Sequence, residues 1–153
     1  MGLDATFYRH IQAIPDSDDS HAASYLERCG VYDPEAVVSI TESVWYFRKF
    51  NGLERFMKLH RLHGRPLNEL WLDVISDWCQ RVLDQADADD VETFEEWSLE
   101  HNPLRPMSGF FFGGTDYTSV YFNNINKLAS ICRSMRDDLS GGKALYYTYE
   151  SSW

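Results

Sequence analysis

The clearest regularity in the chain is the spacing of apolar residues between positions 67 and 82. Apolar side chains recur there at intervals of mostly three and four residues, at Leu67, Leu70, Trp71, Val74, Ile75, Trp78 and Val82. This rhythm is typical of one side of an α-helix that packs against a core. The segment therefore predicts a packing helix in which Trp71 and Trp78 are largely buried.

Similar spacing predicts three further principal helices. They cover residues 42–62, residues 91–97 within an acidic stretch, and residues 119–140, where a pair of glycines ends the helix. A shorter helix is expected over residues 20–29. Residues 37–40 suit either a brief strand or a capping box that starts the 42–62 helix.

Strands are predicted at both ends of the chain and in its centre. Near the start, Leu3, Ala5 and Phe7 alternate with other residues and would share one face. Residues 110–112 are three consecutive phenylalanines, and residues 146–149 are rich in tyrosine, which is common in strands. With four helices, these strands predict an α+β fold for one domain of 153 residues.

The central strand leads into a turn that is suited to binding anions. Gly113 and Gly114 follow the phenylalanines and permit a backbone conformation that other residues would strain. Asp116 or Thr118 would then cap the helix that begins near Ser119. Because backbone N–H groups at such a corner attract negative charge, we predict the ligand site here.

Charge and cysteine content limit the classes of partner. The formal net charge is −10, which argues against general binding to nucleic acid or to anionic membranes, since both repel an acidic protein. An acidic mimic of DNA is kept as an alternative. The three cysteines form no CxxC pair and indicate reduced thiols in the cytoplasm, and no segment resembles a signal peptide or a membrane span.

Basic residues are concentrated in one part of this acidic chain. Six of the fourteen lie within eighteen positions, at Arg48, Lys49, Arg55, Lys58, Arg61 and Arg65. On a helix, Arg48, Arg55 and Lys58 would lie near one another and create a local positive field. The alternative is internal pairing with the acidic residues 84–100.

Several motifs together resemble a known family. They are Met1-Gly2-Leu3-Asp4, Tyr46-Phe47-Arg48-Lys49-Phe50-Asn51, residues 108–117, Tyr121-Phe122 and the closing residues 147–153. In this order they resemble a family of small proteins of phages, prophages and bacteria, which has no established activity. The resemblance implies a phage or prophage origin and a bacterial cytoplasm, but no chemistry. Phe47 stands where the family usually has Trp, and Glu54 where it often has His, which weakens any proposal of a His-dependent enzyme.

The resemblance also implies that distant motifs meet. The N-terminal, central and C-terminal strands would form one small, mostly antiparallel sheet covered by helices. Asp4, Arg48, Asn51, Asp116 and Tyr117 would then converge near the strand ends, beside the two glycines. The cluster would either hold a ligand or consist of an ion pair between Arg48 and one of the two aspartates.

Signatures of catalysis, metals and cofactors are weak. His60 and His63 are spaced for adjacent helix turns, but no further ligand completes a metal set, so surface histidines are the preferred interpretation. No phosphate-binding loop with its lysine and no nucleophile elbow is present. We therefore expect no cofactor or metal, and a non-enzymatic protein that binds a host protein or a small anionic ligand. The rival class is an enzyme that acts on a phosphorylated small molecule, with Asp116 or Glu54 as acid-base group and Arg48 as anion clamp.

Overall fold

The computed structural model describes residues 2–13, 27–28, 30, 38–108 and 115–152, which contain three strands and four principal helices. Their bounds are β1 Asp4–Ala13, β2 Val38–Arg48, α1 Asn51–Leu59, α2 Glu69–Ala88, α3 Val91–His101, α4 Ser119–Ser140 and β3 Tyr146–Ser152. The strands form an antiparallel sheet in the order β2-β1-β3. The predicted α+β fold is therefore confirmed.

Strand β1 is the centre of this sheet. Its residue Phe7 lies opposite Trp45 of β2 and Tyr149 of β3. Leu3, Ala5 and Phe7 are fully buried, as their alternation predicted. The rings of Phe7 and Tyr149 meet edge to face with their centroids 5.4 Å apart, so the sheet contributes aromatic side chains directly to the core.

The first half of the predicted 42–62 helix is wrong. Residues 42–48 continue β2, whose register against β1 runs from Val38 to Arg48, and the helix covers only Asn51–Leu59. The strand interpretation of residues 38–40 is thus correct and the capping box is not, because Glu42 pairs with Arg9 across the sheet. Pairing with β1 extends along β2, with one register shift between Phe7 and Tyr8, and it outweighs the local helical spacing.

Residues with positive φ angles flank helix α1 on both sides. Lys49 has a φ of 57°, and its N–H donates to the carbonyl of Leu3 at 2.6 Å, which turns the chain from β2 into the helix. Arg61 has a φ of 54° and lies just beyond the helix end, so the chain leaves the helical conformation before Leu62. Such angles disfavour helix continuation for residues with a Cβ.

Helix α2 is present as predicted, but its buried face differs from the predicted one. The core side chains of this helix are Leu72, Ile75, Cys79 and Val82. Leu70 is 68% exposed, and Trp71, Val74 and Trp78 are partly buried against the rim of the core. The two tryptophans therefore cover the core rather than fill it, which corrects the prediction that they are largely buried.

The remaining described elements agree with the sequence. Helix α3 buries Phe94, α4 packs along α2, and Gly141 ends α4 as its C-terminal cap. Thr118 is the N-cap of α4, without a side-chain hydrogen bond, and its N–H donates to the carbonyl of Asp116. No helix in the described ranges is long and apolar enough to cross a membrane.

Two predicted elements lie largely or wholly outside the described residues. They are the central strand 110–112 with the following Gly113 and Gly114, and most of the 20–29 helix, of which Glu27 and Arg28 are described and helical.

Candidate functional site

Three of the predicted site residues line one cleft. Arg48 ends β2, Asn51 begins α1, and Asp116 precedes α4, and together they border a cleft of about 540 Å³, the Arg48 cleft. Asn51 is buried, and its Nδ2 donates to the carbonyl of Met107 at 3.2 Å, which holds the loop after α3 against α1. The predicted convergence of these three residues is therefore present.

Asp4 is near this group but makes a different contact. It lies opposite Arg48 in the register of β1 and β2, yet its carboxylate accepts a hydrogen bond of 2.5 Å from the hydroxyl of Tyr46. Across the described ranges, no carboxylate lies within 4.0 Å of the Arg48 guanidinium. Neither proposed ion pair, with Asp4 or with Asp116, is formed there.

A second cleft lies beside the Arg48 cleft and shares Pro106 and Asp116 with it. It measures about 510 Å³, and we call it the arginine cleft. Among the described residues, its charged and aromatic lining consists of Arg55, Glu95, Arg105, Asp116 and Tyr117. Tyr117 thus belongs to this second cleft, while Asp116 borders both.

Arg55 is the least satisfied cation of the arginine cleft. Its Nε is buried and has no hydrogen-bond acceptor among the described residues. Burial lowers the pKa of Arg55, and the nearby positive charge of Arg105 lowers it further. Two like charges that face one cleft repel each other, so an anion placed between them would be attracted to both.

Tyr117 of the arginine cleft is fixed by a chain of hydrogen bonds that continues into the protein interior. The hydroxyl of Tyr117 and Oγ of Ser98 are 2.6 Å apart, and Asn102 Nδ2 donates to that Oγ at 2.8 Å and to the hydroxyl of Tyr121 at 3.0 Å. Burial raises the pKa of Tyr117. Because this network joins α3 to the start of α4, it holds Tyr117 in place without a ligand.

Arg105 is held by the backbone of α3. Its Nη1 donates to the carbonyl of Leu99, close to the C-terminal end of the helix. A cation at a helix C-terminus is favoured by the helix dipole. The guanidinium is thereby positioned at the cleft while it has no carboxylate partner within 4.0 Å in the described part of the chain.

The predicted basic face of one helix is wrong, because Arg48 lies on β2 and not on α1. The alternative was that the basic residues 48–65 form ion pairs with the acidic residues 84–100, and the arginines do not form them either. In the described ranges, Arg48, Arg55 and Arg61 have no carboxylate within 4.0 Å. Lys58 instead lies 3.3 Å from Glu54 on the same helix.

Glu54 belongs to a separate polar cluster inside the core. Its side chain is fully buried and accepts a hydrogen bond of 2.8 Å from the hydroxyl of Tyr149 on β3. The other carboxylate oxygen lies 3.3 Å from Lys58 Nζ and 3.3 Å from His63 Nε2. Burial and the adjacent Glu54 raise the pKa of Tyr149 far above its usual range. Glu54 lines neither cleft, and its Oε1 has Lys58 and His63 as close neighbours without forming a hydrogen bond to either.

The two histidines singled out in the sequence do not share a helix surface. His60 follows α1 and lies between the rings of Phe56 and Trp71, while His63 lies beyond the turn and contacts Glu54. Within the described residues, no group of three His, Cys, Asp or Glu side chains is arranged to hold a metal ion.

Sequence reasoning missed Arg105 and the partners of Glu54. A single arginine in a proline-bearing loop carries no periodic signal, and Tyr149 is 95 positions from Glu54. No protein-family model, curated protein or solved structure matches this chain. The resemblance to the phage and prophage family therefore stays a prediction from the motifs.

Proposed function

We propose that this protein binds a small anionic ligand in the arginine cleft and that it does so without catalysing a reaction. The observation that carries the proposal is the buried Nε of Arg55, which has no acceptor among the described residues and lies near the charge of Arg105. A buried donor without a partner costs stability, and an oxygen of a phosphate or carboxylate in the cleft would supply the missing acceptor once the Arg55 side chain, which lines that cleft, turns toward it.

The geometry around the two arginines supports this proposal. Arg105 is oriented by the carbonyl of Leu99, and Tyr117 is held by Ser98, so these two lining side chains are in place before a ligand arrives. Preorganised groups bind more tightly because less ordering is needed on association. Arg55 and Arg105 share the cleft with the carboxylates of Glu95 and Asp116, so the attraction for an anion comes locally from the two arginines and not from a net positive charge of the cleft.

The motif resemblance supports a phage or prophage setting for this activity. In that setting, an anion-binding protein would modulate the defence or metabolism of its bacterial host by retaining a metabolite or signal. The enzymatic alternative rests on Asp116, which is exposed and borders both clefts. The buried position of Glu54 does not favour that alternative.

Thermal unfolding in the presence of anions tests the proposal. We expect inorganic phosphate, ribose 5-phosphate or a dicarboxylate to raise the Tm of the parent protein, since a ligand at 100 times its Kd adds about 2.7 kcal/mol. Arg55→Gln should remove the shift. Arg65→Gln is the matched control because it removes the same charge from an exposed residue that lines neither cleft.

A second variant distinguishes the two neighbouring clefts. Arg48→Lys keeps the charge but loses the two-pronged guanidinium, so it should weaken a ligand held in the Arg48 cleft and leave a ligand of the arginine cleft unaffected. If no anion raises the Tm of the parent protein, the small-ligand proposal is wrong and a host protein becomes the preferred partner.

A further inference from the structure

The arginine cleft continues into a third cleft with different chemistry. The two share Arg55, Leu99 and Arg105, and the third measures about 360 Å³. We call it the aromatic cleft. Its remaining lining includes Leu59, His60, Trp78, His101 and Pro103. An anion between the two arginines would therefore lie at the entrance to a second, less polar compartment.

Apolar side chains are exposed at this compartment. Leu59 and Leu99 are 59% and 64% exposed, and Trp78 is only partly buried. A lone exposed leucine is ordinary, but two beside a tryptophan in one cleft offer a surface that a ligand would cover favourably. The volumes of both clefts lie within the range of about 300–1,000 Å³ that small-molecule sites occupy.

Two imidazoles add polar groups at the edge of the aromatic cleft. The ring of His60 is held by Phe56 and Trp71, with centroids 4.4 and 5.3 Å away. Burial lowers the pKa of His60, which favours its neutral form, and a neutral imidazole has one donor and one acceptor nitrogen. His101 lines the same cleft and has an exposed side chain.

We propose that the ligand of this site is a nucleotide, with its phosphate between Arg55 and Arg105 and its base in the aromatic cleft near Trp78. This inference rests on the proposed function and specifies its ligand class. A nucleobase has apolar faces and polar edges, which match the exposed Leu59 and Leu99 and the part of the Trp78 ring that the core leaves uncovered, with imidazoles at the rim. A sugar phosphate or inorganic phosphate would leave the aromatic cleft unoccupied.

Calorimetric titration of the purified protein tests this assignment. The ligands are the four ribonucleoside 5′-monophosphates and ribose 5-phosphate, which carries the same phosphate and sugar without a base. We expect at least one nucleotide to bind roughly tenfold more tightly than ribose 5-phosphate, which is the scale of one base stacked on an aromatic side chain. If none of the four binds more than about threefold more tightly than ribose 5-phosphate, the nucleotide assignment is overturned.

Variants separate the two halves of the ligand. Trp78→Leu should remove the advantage of the nucleotide and leave the Kd of ribose 5-phosphate unchanged, while Arg55→Gln should weaken both ligands. Trp45→Leu, an exposed residue of β2, is the matched control. Should Trp78→Leu fail to fold, His101→Ala provides a second test at an exposed side chain and should weaken only the nucleotide.

The outcomes distinguish this inference from the proposed function. If ribose 5-phosphate binds in an Arg55-dependent manner and nucleotides bind no better, the anion site stands and the nucleotide assignment falls. If neither ligand binds, both proposals fall. If the nucleotide keeps its advantage in Trp78→Leu and in His101→Ala, its base lies outside the aromatic cleft and the assignment is wrong.

Discussion

Removing the hydroxyl of Tyr149 should destabilise the protein, because the buried carboxylate of Glu54 would lose a hydrogen-bond donor. In the parent protein this hydroxyl donates to Glu54 at 2.8 Å, and the Glu54 side chain is fully buried. A hydrogen bond to a charged group contributes about 1.5–3 kcal/mol, and water cannot readily replace the lost donor. Lys58 and His63 remain 3.3 Å from the other oxygen and keep the carboxylate from losing all of its polar neighbours. We therefore expect Tyr149→Phe to lower the free energy of unfolding by about 2–3 kcal/mol, which is the loss of this one hydrogen bond.

Tyr147→Phe is the matched control for this change. Tyr147 lies two positions earlier on β3 and has an equally buried ring, but its hydroxyl donates at 2.9 Å to Asp138, whose side chain is 25% exposed. Water can replace that donor, so the expected loss is about 1 kcal/mol or less. Urea denaturation followed by tryptophan fluorescence and circular dichroism measures both variants, with unchanged m values required for the comparison.

A double-mutant cycle isolates the charge of Glu54. In a Glu54→Gln background the hydroxyl of Tyr149 meets a neutral acceptor, so Tyr149→Phe should cost only about 1 kcal/mol there. Equal losses in the parent and Glu54→Gln backgrounds, or equal losses for the two tyrosines, would show that the Glu54 cluster is not the polar centre of the core.

Three further predictions concern packing and pH. Leu72→Ala should lower the free energy of unfolding by about 2–5 kcal/mol, whereas Leu70→Ala, at an exposed position of the same helix, should change it by about 0.5 kcal/mol or less; equal effects would contradict the buried face of α2. Gly52→Ala should lower the free energy of unfolding by about 1–3 kcal/mol, because the new Cβ would overlap the carbonyl oxygen of Leu104. Alanine has the higher helix propensity, so a variant that is stabilised in chemical denaturation would show that residue 52 does not lie so close to this carbonyl. Because burial lowers the pKa of His60 in the folded protein, the unfolded chain binds more protons at this site. The stability that neutral His60 contributes is therefore complete above about pH 6.5 and is lost as pH falls through the folded pKa. In urea titrations the stability difference between the parent and His60→Gln should shrink from pH 7.5 to 5.5, and a difference that grows would contradict the lowered pKa.

The elements that could be predicted are those whose pattern agrees with their long-range partners. The alternation of Leu3, Ala5 and Phe7 and the spacing along α4 both match the faces that the fold buries. Residues 42–48 could not be assigned in this way, because Tyr46 and Phe50 also fit a helical stripe. Their strand conformation depends on pairing with β1, more than thirty positions away, which no local pattern encodes.

The candidate site was predictable only in part, for a similar reason. Arg48, Asn51 and Asp116 belong to motifs that could be recognised, and they line one cleft. Arg55 and Arg105 line the same cleft because the loop after α3 folds back onto α1, where Asn51 donates a hydrogen bond to the carbonyl of Met107. Such tertiary contacts leave no periodic trace in the sequence.

The central position of β1 has a consequence for biosynthesis. On β3, Asp4 pairs with Ser152, which lies 148 positions later in the sequence, so this edge of β1 is covered only after the residues between them have been synthesised. During translation β1 is able to pair with β2 while its other edge stays open, and an open strand edge is a site of association between nascent chains.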